Sequence, residues 1–202
     1  MTRFEQQLLF FREADKMKTV LRQTMLADYS RRENDAEHSW NLALMAMVLA
    51  EYADPAVDLF RVLKMALVHD LVEVYAGDTF AYDEQGNLDK DVRETQAADR
   101  IFGLLPEDQG KELRSLWEEF DAMETADALY AACIDRLQPF MNNYFTQGHT
   151  WRKGKVTPEQ VYRRLEPVKY GTPELWPFVV EVIEHGKKQG YFTHLPEPFL
   201  EG

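Results

Sequence analysis

The adjacent pair His69-Asp70 closes the apolar run Val62-Leu63-Lys64-Met65-Ala66-Leu67-Val68. An imidazole and a carboxylate at the end of such a run cannot both be comfortable in a core unless something binds them. A divalent metal is the simplest such thing, because this donor pair suits Zn²⁺, Mn²⁺, Fe²⁺, Co²⁺ or Ni²⁺. A metal held with open positions activates water, which points toward hydrolysis. The charged patch continues through Glu73 and Asp78, and a second histidine lies upstream in Ala36-Glu37-His38-Ser39-Trp40.

Apolar residues recur at helical spacing along most of the chain. The pattern predicts helices over about 4–21, 35–52 and 57–75. Asn34 or Asp35 caps the second, Pro55 sits in the first turn of the third, and Gly77 stops it. Residues 78–88 read as a loop. Helices resume over about 90–104, 107–121 and 125–145, with Pro139 kinking the last. A basic, aromatic loop follows over 148–156. Thr157-Pro158-Glu159 then opens another helix, and Pro173 opens a final one to about Gln189. No alternating run is long enough for a sheet. We read a single all-α domain over 1–202, a helical bundle with its core over about 4–147. Helices over about 157–189 pack on that core, and the tail 190–202 is irregular.

The composition narrows the partners. The chain has 202 residues, 45% hydrophobic and 12% aromatic, enough for a sizeable core. Its net charge of −12 argues against a nucleic-acid polymer as partner. A small phosphate ester stays open, since a metal and one arginine reverse the local potential. The one cysteine, Cys133, allows no intrachain disulfide and fits a reducing, cytoplasmic setting. The N-terminal stretch lacks the pattern of a secretory signal, and no segment has the length and apolarity of a membrane span. The aliphatic and aromatic content exceeds what one small bundle needs, which suggests a homodimer.

On a helix, His69, Asp70 and Glu73 project toward one side. The plain alternative is a charged, exposed helix end, but Leu63, Ala66, Leu67 and Leu71 argue that this segment is buried. His38 then offers a second imidazole from its own helix, and Asp70 serves as a third ligand. Asp135, a lone acid in Ala131-Ala132-Cys133-Ile134-Asp135-Arg136-Leu137, is the candidate fourth ligand. A salt bridge between Asp135 and Arg136, or another basic residue, stands as an equal alternative. Cys133 reads as a small core residue, and Met17, Met25, Met45, Met47 and Met65 as core filling. The basic stretch around Trp151, Arg152, Lys153 and Lys155 reads as a solvated loop packing one tryptophan, with a lid or phosphate guide as the alternative.

Taken in order, several segments resemble the HD-domain metal-dependent phosphohydrolases. They are Arg32-Glu33-x-x-x-Glu37-His38-Ser39-Trp40, Lys64-Met65-Ala66-Leu67-Val68-His69-Asp70-Leu71-x-Glu73, Gly77-Asp78, Leu116-Trp117-Glu118-Glu119-Phe120 and Asp135. The resemblance is greatest to the 5′-deoxynucleotidase branch and covers about 8–144. It implies one divalent ion (Mn, Co, Zn, Fe, Ni or Mg) held by His38, His69, Asp70 and Asp135. It further implies that Glu73 is the acid-base residue, that Asp78 touches the substrate's sugar and that Arg22 reaches the phosphate. Family members often carry tryptophan after that arginine, where this chain has Gln23.

The implied substrate is a nucleoside 5′-monophosphate, ribo or deoxy, cleaved to nucleoside and phosphate. None of the five histidines lies between Asp70 and Asp135. Binuclear relatives place extra histidines there, so one metal and a monoester are favoured. The alternatives are another ester, such as a cyclic nucleotide or guanosine tetraphosphate, and a non-catalytic helical metal-binding module.

Overall fold

A computed structural model of the chain describes residues 1–193. Among the described residues there are eleven α-helices and one small hairpin. The helices are α1 (Arg3–Ala14), α2 (Asp35–Val48), α3 (Leu59–Val68), α4 (Glu73–Ala76), α5 (Lys90–Phe102), α6 (Glu107–Ala122), α7 (Ala126–Phe145), α8 (His149–Lys153), α9 (Pro158–Arg164), α10 (Val168–Gly171) and α11 (Trp176–Gln189). The all-α expectation therefore holds. The part of the irregular-tail expectation that falls on 194–202 lies outside the described residues.

Local chemistry sets most helix starts. Reciprocal capping boxes join Thr2 with Glu5, Asn34 with Glu37, and Thr157 with Gln160, each satisfying two orphan backbone donors. Asp58 accepts from the Phe60 and Arg61 amides to start α3, so Pro55 lies ahead of the helix rather than in its first turn. Gly77 ends α4 at φ +77°, a conformation that side chains with a Cβ disfavour.

Three expectations are corrected. The first helix ends at Ala14 and gives way to a 3₁₀ turn over Asp15–Thr19. Strand β1 (Leu21–Met25) follows and pairs antiparallel with β2 (Arg32–Asn34). The hairpin closes through the Leu26 amide donating to the Arg31 carbonyl at 2.9 Å, with Tyr29 at φ 64° in the turn. Short strands joined by an irregular turn carry little alternation, so no periodicity announces them.

The second correction is the third helix, which stops at Val68 instead of running on to Tyr75. The chain tightens into i→i+3 turns, in which Leu71 donates to Val68 at 3.1 Å and Glu73 to Asp70 at 2.9 Å. The third correction concerns the basic stretch, which contains helix α8. Its Trp151 is buried against Phe140 and stacks on Phe192, with ring centroids 4.8 Å apart. Helix α7 also runs on through Pro139 without a break.

Helices α2, α3 and α7 pack on one another, with α6 against α3 and α7. Leu42 and Ala46, Val62, Met65 and Ala66, and Ala131, Ile134 and Leu137 meet at the centre. Leu67, expected inside, is exposed, and so is Met47. The buried face of α3 is instead Val62, Met65, Ala66 and Val68.

Candidate active site

The central helices deliver four side chains to one point. His38 comes from the second turn of α2, His69 and Asp70 from the turn after α3, and Asp135 from the middle of α7. His38 is fully buried, and the other three are nearly so. The His38 Nε2 lies 3.0 Å from Asp135 Oδ1 and 3.8 Å from Asp70 Oδ2. The His69 Nε2 lies 3.1 Å from Asp70 Oδ2 and 3.7 Å from Asp135 Oδ1.

Hydrogen bonding behind the rings fixes which nitrogen faces the centre. His69 Nδ1 donates to the Ala66 carbonyl at 3.0 Å. His38 Nδ1 is 3.0 Å from Gln138 Oε1, and Gln138 is oriented by its own amide donating to Glu33 at 2.7 Å. A carbonyl oxygen only accepts, so each Nδ1 carries a proton and each Nε2 is the atom that faces the carboxylates. His69 Nε2 has no hydrogen-bond partner among the described residues. Two carboxylates facing one another repel unless positive charge stands between them, supplied either by protons on the two Nε2 atoms or by a metal cation that replaces them.

The electrostatics show how strongly this point draws positive charge. Burial and Arg22 push His38 toward its neutral form, but Asp135, Glu33 and Asp70 prevail and raise its pKa. Burial likewise opposes charge on His69, yet Asp70 and Asp135 raise it to about 10. Burial works against the charges of Asp70 and Asp135 too, but the histidines, joined by Arg22 at Asp70, hold both carboxyls below the usual range.

A divalent ion fits this donor set. Two ligands bound at 2.1 Å and 90–109° apart stand roughly 3.0–3.4 Å from each other; His38, His69 and Asp135 offer ligand atoms within 4.8 Å of one another, and Asp70 Oδ2 lies 3.1 and 3.8 Å from the two histidine Nε2 atoms. The Nδ1 partners are the outer hydrogen bonds that orient metal-binding imidazoles.

Around this point opens a cleft of about 200 Å³. Hairpin strand β1 brings Arg22 in, with its Nη1 2.7 Å from Asp70 Oδ2 and 3.5 Å from Asp35 Oδ1. Glu73, at the start of α4, and Asp78, just past Gly77, line the same cleft. All seven residues singled out from the sequence therefore converge on one site.

Sequence reasoning missed three more. Asp35 is fully buried, and its carboxylate lies with those of Glu73 and Asp78, ligand oxygens within 4.8 Å of one another. Burial and Asp70 push Asp35 up to about 7, while burial, again with Asp70, raises Glu73 well above the usual carboxylate range. Asp35 was readable only as a cap; its position one helical turn before His38 was the available signal. The other two are arginines. Arg164, from α9, approaches Asp135 Oδ2 at 3.4 Å. Arg136 instead donates to the Ala132 carbonyl at 3.0 Å. Burial and the nearby Arg164 push Arg136 down to about 10.

Comparison with known proteins identifies the family. The family profile described as HD domain matches residues 14–176. The human 5′-deoxynucleotidase HDDC2 is 34% identical over 176 residues, 87% of this chain and 83% of that protein. The mouse 5′-deoxynucleotidase HDDC2 is 33% identical, over 95% of this chain and 93% of that one. A crystal structure of a predicted metal-dependent phosphohydrolase from Magnetospirillum magnetotacticum MS-1 superposes with a TM-score of 0.90 at 49% identity, covering 95% and 96% of the two chains. The chain belongs to the HD-domain family.

Proposed function

We propose that this protein is a metal-dependent phosphomonoesterase that cleaves nucleoside 5′-monophosphates, deoxyribonucleotides among them, to nucleoside and phosphate. The observation that carries the reading is the convergence of the two inward-facing Nε2 atoms with Asp70 and Asp135, beside a cleft lined by Arg22, Arg136 and Arg164 and by the acids Glu73 and Asp78. The family match and the 5′-deoxynucleotidase relatives support it.

His38, His69, Asp70 and Asp135 would hold one first-row divalent ion. Bound there, the ion supplies Lewis-acid activation of water and neutralises charge growing on phosphorus. Arg22 faces the same point with a planar fork of donors, suited to phosphate oxygens. Burial and neighbouring carboxylates raise the Glu73 carboxyl well above the usual carboxylate range, which suits it to protonate the departing ester oxygen. Asp78 lies on the loop past α4, placed to accept a hydrogen bond from a sugar hydroxyl.

No helix among the described residues is long and apolar enough to cross a membrane. The cytoplasmic assignment rests on the single cysteine, which is fully buried and held protonated, its pKa raised to about 11 by burial. The homodimer assignment rests on apolar side chains left in solvent on neighbouring turns: Phe4, Leu8 and Phe11 on α1, and Trp40, Leu44 and Met47 on α2.

Phosphate release from a panel of ribo- and deoxyribonucleoside 5′-monophosphates, with Mn²⁺ or Co²⁺, tests the function. Metal-dependent release, abolished by chelator, is expected. Release from none of them, or release indifferent to chelator, contradicts the reading.

A further inference from the structure

The metal cleft does not end at Asp135. It continues past Arg136 and Arg164 into a second cavity of about 370 Å³, with Tyr82 and Asn87 also shared between the two. Gln160 and the exposed Arg163 line its outer part. Three guanidiniums thus gather along one wall of a chain whose net charge is −12.

These arginines are poorly matched within the protein. Arg136 spends one N–H on a backbone carbonyl of its own helix. Among the described residues, neither Arg136 nor Arg163 has a carboxylate within 4 Å. Arg164 has only Asp135, at 3.4 Å. That carboxylate is one of the four converging on the metal point, so a bound cation shares its charge and leaves the wall more positive still. Adjacent guanidiniums repel one another, as the effect of Arg164 on Arg136 shows, and an anionic ligand relieves that repulsion beyond what Glu84, the carboxylate lining the same cavity, supplies. Arg22 stands on the opposite side of the cluster, against Asp70, and already serves the scissile phosphate.

We infer that the Arg136–Arg164 wall, with Arg163 at its outer end, binds a second phosphate group on the substrate, away from the one that is cleaved. This inference rests on the nucleotidase reading and adds to its 5′-monophosphates a preferred class, nucleotides that carry a second, separated phosphate. The reaction is unchanged: water gives its oxygen to the 5′ phosphorus, the P–O5′ bond breaks, and O5′ leaves with a proton. The products are inorganic phosphate and a nucleoside that still carries its other phosphate.

The test compares 2′-deoxyadenosine 5′-monophosphate with 2′-deoxyadenosine 3′,5′-bisphosphate on the Mn²⁺-loaded full chain. In the wild type, kcat/KM for the bisphosphate is expected to exceed that for the monophosphate by about tenfold or more, as charge-assisted contacts to a phosphate imply. Arg136→Gln should collapse that ratio toward one, whatever it does to either rate alone, and Arg136→Lys should restore part of it. Arg163→Gln, on the exposed rim, lowers the ratio less and covers the case in which the Arg136 variants do not fold. A wild-type ratio near or below one, or a ratio indifferent to these substitutions, overturns the inference. If neither nucleotide is hydrolysed, the phosphohydrolase reading fails on its own, and calorimetric affinities of the same two nucleotides still decide the arginine wall. Tighter binding of the bisphosphate, lost in the variants, supports it, and equal binding refutes it.

Discussion

The two walls of the cleft use the same functional groups to opposite ends. On one, Asp35, Glu73 and Asp78 crowd around a single arginine, Arg22. On the other, Asp135 stands among two histidines and Arg164, with Arg136 near by. Carboxyls of the first wall are pushed toward the protonated form, Asp35 to about 7 and Glu73 well above the usual range. Asp135, equally buried, is driven the other way by His38 and His69. Burial alone raises every one of these carboxyls, so the sign of the shift is decided by neighbours. The first wall can hold a proton and give it up, while the second keeps a negative charge for a cation.

The strongest way to break this contrast is Asp135→Asn, which removes the charge on the ligand wall. It should cost at least about a thousandfold in kcat/KM, given the several kcal/mol a metal contributes, and should lower metal content measured on the purified protein. Glu73→Gln acts on the other wall. It should lower kcat by about 10²–10⁴-fold while leaving metal content unchanged, which separates proton transfer from ion binding. Arg22→Lys keeps the charge but loses the planar fork, and should raise KM for the monophosphate by about tenfold.

The smallest effect concerns stability. The folded Asp35 pKa, about 7, lies above the ordinary 3.8. Between those values the folded chain keeps a proton that the unfolded chain has lost, so stability falls as pH rises from about 4 to 7. Asp35→Asn should flatten that slope in the metal-free protein and raise its stability at pH 8 by on the order of 2 kcal/mol, read from denaturant midpoints. An unchanged slope in the variant would mean that Asp35 is ionised throughout.

The walls also differ in how far the sequence disclosed them. His38, His69, Asp70 and Asp135 could be read because each is a ligand-type residue beside apolar residues whose spacing declares burial. Helix starts at Asn34 and Thr157 could be read because a capping box is a local event. The hairpin that carries Arg22 could not, since its pairing joins Leu21 to Asn34 and Met25 to Arg32 through an irregular turn. The break after Val68 was equally hidden: Leu71 and Val72 are not breakers, and the turn is held by tertiary burial of His69 and Asp70. Arg136 was weighed only as a partner for Asp135, its neighbour in sequence. The arginine that actually reaches Asp135 is Arg164, in a region that carries no recognisable motif. Proximity across 29 residues is made by packing, which composition does not report.

The central claim is that the cation belongs among His38, His69, Asp70 and Asp135, and not in the acidic group of Asp35, Glu73 and Asp78. Anomalous diffraction from crystals grown with Mn²⁺ tests it most directly. The account predicts one strong peak bounded by the two histidine Nε2 atoms and the carboxylates of Asp70 and Asp135. A peak centred instead on Asp35, Glu73 and Asp78, or no peak at the histidines under saturating metal, would contradict it.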